Sequence, residues 1–272
     1  MQPPTKISLD KTLSTHYPEE YVALIKIWQT QVYEQVLPGY GDNIGNNPAL
    51  LKVLNNSPCV TMILNLSTQR FEFVSSNASD LFGYGNGYFL EQGLPFCNSI
   101  AHPEDLQNSW KLIKSIWDFI FSVPPADQAQ YKFTYDFRTL RPSGKVVRVL
   151  AQNSILQTDN KGTITHVLCV YSDISHWKKS NYQLASIVST VAKSCLFFSQ
   201  TESDSFNPST CLSKRELEIV KLMAEGFSSK LIADKLFISF HTVNTHRQKI
   251  MEKTKTRNTG GLVQFAVSHG LI

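Results

Sequence analysis

The chain lacks any long hydrophobic run. Apolar stretches such as Cys59 to Leu66 are far too short to cross a bilayer, which takes roughly 20 apolar residues. Met1 to Lys11 is polar and carries two prolines, so it has no apolar centre of a secretory signal. These absences predict a cytoplasmic protein with no membrane partner. Cysteine is scarce too: the five residues Cys59, Cys97, Cys169, Cys195 and Cys211 are odd in number, scattered, and form no Cys-x-x-Cys pair. That spacing predicts reduced thiols and argues against a disulfide framework or a zinc site, so no metal is expected. No Ser/His/Asp or Cys/His set, metalloprotease motif or kinase signature can be assembled, and no enzymatic activity is expected. Gly83-x-Gly85-x-Gly87 has neither the preceding strand nor the following Gly-Lys-Ser/Thr of a phosphate loop, and reads as a turn between helices.

Excess positive charge is missing from most of the chain and concentrated at its end. From Cys211 onward ten Lys/Arg face five Asp/Glu, net +5; the totals of 26 and 22 leave residues 1 to 210 with 16 against 17, net −1. A compact basic segment attached to a near-neutral body suits a polyanionic partner. With 272 residues and ordinary globular composition, the sequence predicts more than one domain, and Ser203 to Thr210 (SDSFNPST) has the composition of a linker.

Ahead of that linker, Trp177, Leu184, Val191 and Phe198 recur every seven residues, with Ile187, Val188 and Cys195 beside them. The period predicts a connecting helix with an apolar seam, packed on its own domain or pairing two chains. Tyr17 to Leu37 predicts an amphipathic helix through Tyr21, Leu24, Ile25, Trp28, Val32 and Val36. Between Leu50 and Ser175 the pattern is mixed. CVTMILNL and RFEFVSS read as strands, and Glu104 to Phe121 carries a helical stripe of Leu106, Trp110, Ile113, Ile116, Trp117 and Ile120. Tyr131, Phe133, Tyr135 and Phe137 then alternate with polar residues as in a half-buried strand. Turns at Pro142-Ser143-Gly144 and Asp159-Asn160-Lys161-Gly162 separate it from strands over Lys145 to Gln157 and Thr163 to Ile174.

This order, with FEFVSSNASDLFGYG, HPEDL, DFRTLRPSG and DIS, resembles a PAS sensor domain over roughly Leu50 to Trp177. The resemblance implies a signal at this domain, a small molecule or a protein, with the pocket residues unknown. Its rival is a ligand-free interaction or dimerisation module whose core is filled by its own aromatic side chains. No cofactor is expected; haem on His102 or a flavin beside Cys97 stand as alternatives. His102 before Pro103-Glu104-Asp105 also suits a helix N-terminus, and the surroundings of Cys97 lack the light-sensing pattern.

The C-terminal stretch begins with Leu212-Ser213-x-x-Glu216-Leu217, a capping box with a hydrophobic staple. A helix follows, stopped by Gly226. Ser228 or Ser229 caps a second helix with Ile232, Ala233 and Leu236, and Ser239 caps a third with Val243, Ile250 and Met251 on its apolar face. The second and third form a helix-turn-helix. LSKRELEIVKLMAEGFSSKLIADKLFISFHTVNTHRQKIMEK resembles the LuxR/GerE-type DNA-binding domain, without a gap over about sixty residues. Two departures stand out: Thr254 replaces a usual buried Leu or Met, and Gly260-Gly261 opens the last helix with poor helix formers.

In such domains the third helix enters the major groove of double-stranded DNA. Opposite Val243, Ile250 and Met251 lie Asn244, Thr245, Gln248 and Lys249, whose amides, methyl and charge suit base edges. The resemblance places Lys230, Thr242 and His246, with Arg247 and Lys253, on the phosphate backbone. The expected architecture is α+β. A helical segment (1–49) precedes a PAS-like antiparallel sheet with helices (50–176), a connecting helix and linker (177–210), and an all-α four-helix LuxR-type domain (211–272). The expected function is a homodimeric transcription regulator reading two half-sites.

Overall fold

The computed structural model describes residues 17–33, 40–178, 181, 183–191, 195–199, 212–254 and 256–268. The sequence readings at Met1 to Lys11, at Val36 and at the 203–210 linker lie outside them.

Helix α1 (Glu19–Thr30) places Tyr21, Leu24, Ile25 and Trp28 in the core at helical spacing. It ends before Val32, which is exposed. Short helices α2 (Tyr40–Gly45) and α3 (Pro48–Asn55) lead into strands β1 (Val60–Asn65) and β2 (Arg70–Val74). Next come α4 (Ala78–Phe82), α5 (Asn86–Gln92) and α6 (Leu94–Ile100). Gly83 ends α4 at φ +78, and a Cβ there would meet Pro142 at 2.8 Å, so the Gly83–Gly87 stretch is the expected turn between helices.

Helix α7 (Pro103–Ser122) buries the predicted stripe except Leu106, which is half-buried, with Ile116 and Ile120 wholly inside. Each such side chain contributes about 1.5–3 kcal/mol by leaving water. Edge-to-face contacts of Tyr21 with Trp110 (4.6 Å between ring centres) and Trp28 with Trp117 (5.1 Å) dock α1 on α7.

After the one-turn α8 (Pro125–Gln128) come β3 (Tyr131–Leu140), β4 (Val146–Thr158) and β5 (Ile164–Asp173). Both turns form as predicted, with Gly144 N–H donating to Arg141 O and Gly162 N–H to Asp159 O. In the antiparallel sheet the order is β2-β1-β5-β4-β3 and then two further strands, β6 (Leu184–Ser189) and β7 (Cys195–Ser199).

Those last two strands correct the connecting helix expected from the heptad spacing of Trp177, Leu184, Val191 and Phe198. The backbone at the edge of β3 offers unpaired N–H and C=O groups, and Tyr131–Tyr135 takes up Ala185–Ser189 as a ladder. Ala185 and Ile187 join the main core, whereas Leu184 and Val188 face the other way and pack on the C-terminal helical core. Trp177 and Val191 are exposed. A strand alternation with period two therefore sorts these residues, and no helical seam exists over 184–189.

Strand β3 departs from the half-buried reading in one respect: Thr134 and Asp136, on the face opposite Phe133, are buried as well. Thr134 shares a hydrogen bond with Ser186 of β6. Asp136 Oδ1 lies 2.6 Å from Lys178 Nζ, and its Oδ2 2.7 Å from Arg148 Nε, a close ion contact without hydrogen-bond alignment. Arg148 Nη1 also reaches Asp105 Oδ2 at 3.4 Å, and Asp105 pairs with Arg138 at 2.5 Å. Burial lowers the Lys178 pKa, and Asp136 works against that shift. Among the described residues no helix is long and apolar enough to cross a membrane.

Candidate nucleic-acid interface and core cavity

Four helices follow residue 211: α9 (Lys214–Ala224), α10 (Ser229–Leu236), α11 (Phe240–Thr254) and α12 (Thr259–Ser268). The capping box at α9 is complete, with Glu216 N–H donating to Ser213 Oγ and Ser213 N–H to Glu216 Oε2 at 2.7 Å. Leu212 is wholly buried and Leu217 packs on the same core. Gly226 stops the helix at φ +85. Ser228, not Ser229, caps α10 through Leu231 N–H, and Ser239 accepts from Thr242 N–H at the start of α11. The turn between α10 and α11 holds Phe237 in the left-handed region at φ 53, with its side chain 95 % exposed.

Helix α11 is locked from one side. Val243 and Ile250 are wholly buried against Ile219, Val220, Ile232 and Leu262, and Met251 is half-buried. Thr254 is buried too, its hydroxyl donating to Ile250 O at 2.8 Å, which meets the polar demand that the usual Leu or Met would not have. Asn258 Oδ1 accepts from Gly261 N–H, so a side-chain cap opens α12 despite its two glycines.

Asn244, Thr245, Gln248 and Lys249 are all exposed on the opposite side of α11. Gln248 Nε2 contacts Glu252 Oε1 at 3.2 Å, a bond between exposed side chains. Lys230 is exposed on α10; Thr242 and His246 are half-buried. Arg247 and Lys253 hold partners within the chain. Arg247 donates to Ser229 Oγ at 2.9 Å and Thr259 Oγ1 at 2.8 Å, bracing α11 against α10 and α12. Lys253 Nζ lies 2.8 Å from Glu216 Oε2. Burial acts to raise the Glu216 pKa, but Lys253 and the Ser213 groups outweigh it and hold the carboxyl below its ordinary range. Phe240, at the first turn of α11, is 55 % exposed.

A second site lies inside the sheet domain. A cavity of about 70 Å³ opens between α6, α7 and the sheet, walled by Met62, Leu106, Ile113, Tyr135, Phe137 and Tyr171 among others. Asn98 and Cys97 of α6 and Trp110 of α7 also line it. Trp110 Nε1 donates to Asn98 Oδ1 at 2.9 Å, while Asn98 Nδ2 is buried with no hydrogen-bond partner among the described residues. Burial pushes the Cys97 thiol up to about 12, so it stays protonated at neutral pH. His102 is not among the lining residues. It caps α7, its Nδ1 accepting from Glu104 N–H. Sequence analysis could not find this pocket, since its wall is drawn from residues between 62 and 171.

Residues 210–266 match the family described as bacterial regulatory proteins, luxR family, and residues 71–171 match the PAS fold. The C-terminal helices are thus a LuxR-type helix-turn-helix, and the central sheet is PAS-like. The oxygen regulatory protein NreC of Staphylococcus epidermidis is 45 % identical over 76 residues, covering 27 % of this chain and 35 % of that protein. NreC of Staphylococcus carnosus is 44 % identical over 66 residues, 24 % of this chain and 30 % of its own. The chain spans about a third of the length of the curated relatives it matches. Among solved structures, the Vibrio cholerae VqmA dimer without target DNA covers 82 % of this chain and 88 % of its own, at 14 % identity and TM-score 0.32. The N-terminal domain of a Marinobacter aquaeolei diguanylate cyclase with a PAS/PAC sensor covers 43 % of this chain and 96 % of its own, at 21 % identity and TM-score 0.33.

Proposed function

We propose that this chain is a transcription regulator of the cytoplasm that binds double-stranded DNA by laying α11 in the major groove, with the PAS-like domain as sensor of a small molecule. The observation that carries the reading is the two-sidedness of α11. Val243 and Ile250 anchor one side, and Asn244, Thr245, Gln248 and Lys249 are exposed on the other, where amides and a methyl can meet base edges. Lys230, Thr242 and His246 flank that surface and are assigned to phosphates, which fix register without reading sequence. Arg247 and Lys253 are assigned to the phosphates as well, each exchanging part of its internal bonding on contact. The net charge of +5 after residue 210 supplies the attraction.

A homodimer on DNA follows from the way helix-turn-helix proteins read paired half-sites. Loss of the expected helical seam leaves that half-site argument as its support. For the sensor, a cavity lined by Asn98, whose buried amide nitrogen has no partner among the described residues, favours a small ligand over an interaction module with a self-filled core. The size of the cavity, about 70 Å³, favours a ligand smaller than a haem or flavin. The test is selection of duplexes from a random pool by the full chain, followed by footprinting and light scattering. Selected sites should be imperfect palindromes with centres roughly 10 bp apart, bound by two chains. Failure to retain any duplex at low salt sinks the reading.

A further inference from the structure

We propose that the cavity beside α7 takes a compact, uncharged, mainly apolar molecule that presents one hydrogen-bond acceptor, a carbonyl oxygen or an aromatic ring nitrogen, to Nδ2 of Asn98. This rests on the sensor reading and adds to it the class of ligand.

The orientation of the Asn98 amide is settled by its neighbour. An indole N–H can only donate, so Trp110 Nε1 at 2.9 Å must face the oxygen, and the amide nitrogen points elsewhere. Asn98 is only 6 % exposed and its Nδ2 meets no acceptor among the described residues. Folded chains seldom leave a buried donor unmet, because it has given up its water without replacement. A missing acceptor beside a lining residue is what a ligand would supply.

The rest of the wall sets the other properties. No residue lining the cavity is charged, so an ionic ligand would be stripped of water with nothing to compensate it. Aromatic and aliphatic groups dominate, with Tyr135, Phe137, Tyr171 and Trp110 offering ring faces and edges. The space of about 70 Å³ is roughly half the 150 Å³ or so of a dry cavity known to admit benzene. A single six-membered ring is thus larger than the space as it stands, and is seated as the flexible Met62 and Leu106 give way.

Benzene and pyridine share shape and differ in one acceptor, which makes them the probes. Titrated into the full chain at pH 7.5 and followed by NMR, pyridine should bind about fivefold more tightly than benzene, the size of one ordinary hydrogen bond. In Asn98→Leu the benzene affinity should hold within about twofold and the pyridine advantage disappear. Should that variant fail to fold, the wild-type protein still decides, since the Asn98 side-chain amide signals should move with pyridine and not with benzene. Equal binding of the two rings overturns the acceptor assignment and leaves the sensor reading standing. N-methylpyridinium binding as well as pyridine overturns the uncharged class. Binding of neither ring, with a long-lived water found at the Asn98 amide, overturns both the ligand class and the sensor reading.

Discussion

Lys253 on α11 holds the carboxylate of Glu216 on α9 at 2.8 Å, and Glu216 is the same residue that closes the capping box with Ser213. Glu216 is 4 % exposed, so one buried charge serves a helix end and the crossing of two helices together. Lys253→Met leaves that charge without its cation and should destabilise the C-terminal domain by about 1–3 kcal/mol, read by thermal or urea unfolding. Because the folded pKa of Glu216 lies below its ordinary 4.5, its contribution is present above pH 4.5 and is lost as pH falls through the depressed folded value. The acid limb of stability present in wild type should therefore shrink in Lys253→Met. An unchanged acid limb would contradict the pairing.

Exposed polar residues on α11 divide by what they would read. Asn244→Ala or Gln248→Ala should cost about 1–3 kcal/mol on the selected operator and relax one base position per half-site, with little change on scrambled duplex. Lys230→Ala should weaken both duplexes alike and lower the salt slope by about one per site. Binding titrations on both duplexes across a salt series check this. Equal losses from Gln248→Ala and Lys230→Ala on both duplexes would mean that α11 is turned differently.

Phe237 occupies a left-handed backbone position at φ 53 with 95 % of its surface in water. Phe237→Gly removes the Cβ strain and almost no packing, so it should stabilise the domain by about 0.5–1 kcal/mol after the entropy of glycine is counted. A fall in melting temperature would show that the exposed ring has a structural contact in solution.

The buried ions of the sheet domain should respond far more strongly. Asp136→Asn leaves Arg148 and Lys178 with less charge compensation at 3 % exposure of the position, and should cost about 3–5 kcal/mol by urea unfolding. A loss below 1 kcal/mol would place water inside the cluster.

Local order was legible wherever a short stretch carries its own instruction. The capping box of Ser213 and Glu216, the stop at Gly226, the Arg141–Gly144 turn and the stripe of α7 depend on residues within a turn or two of one another. The two faces of α11 follow from helical spacing once Val243 and Ile250 are taken as core. The stretch after Trp177 was not legible in this way, because Leu184, Ile187 and Val188 suit a helical seam and a sheet strand equally well. The choice came from β3, whose open edge could gain a ladder of hydrogen bonds that no neighbour in sequence supplies.

What the sequence alone determined, then, is the identity and polarity of each element: caps, turns, apolar faces and the basic end are covalently local. Only the tertiary structure decided which backbone edges pair, that Lys253 meets Glu216 and Arg247 meets the Ser229 and Thr259 hydroxyls within the domain, and that Asn98 meets Trp110 but finds no acceptor for its other end among the described residues. Those outcomes turn on the satisfaction of polar groups by residues distant along the chain, and burial is what makes an unsatisfied one costly.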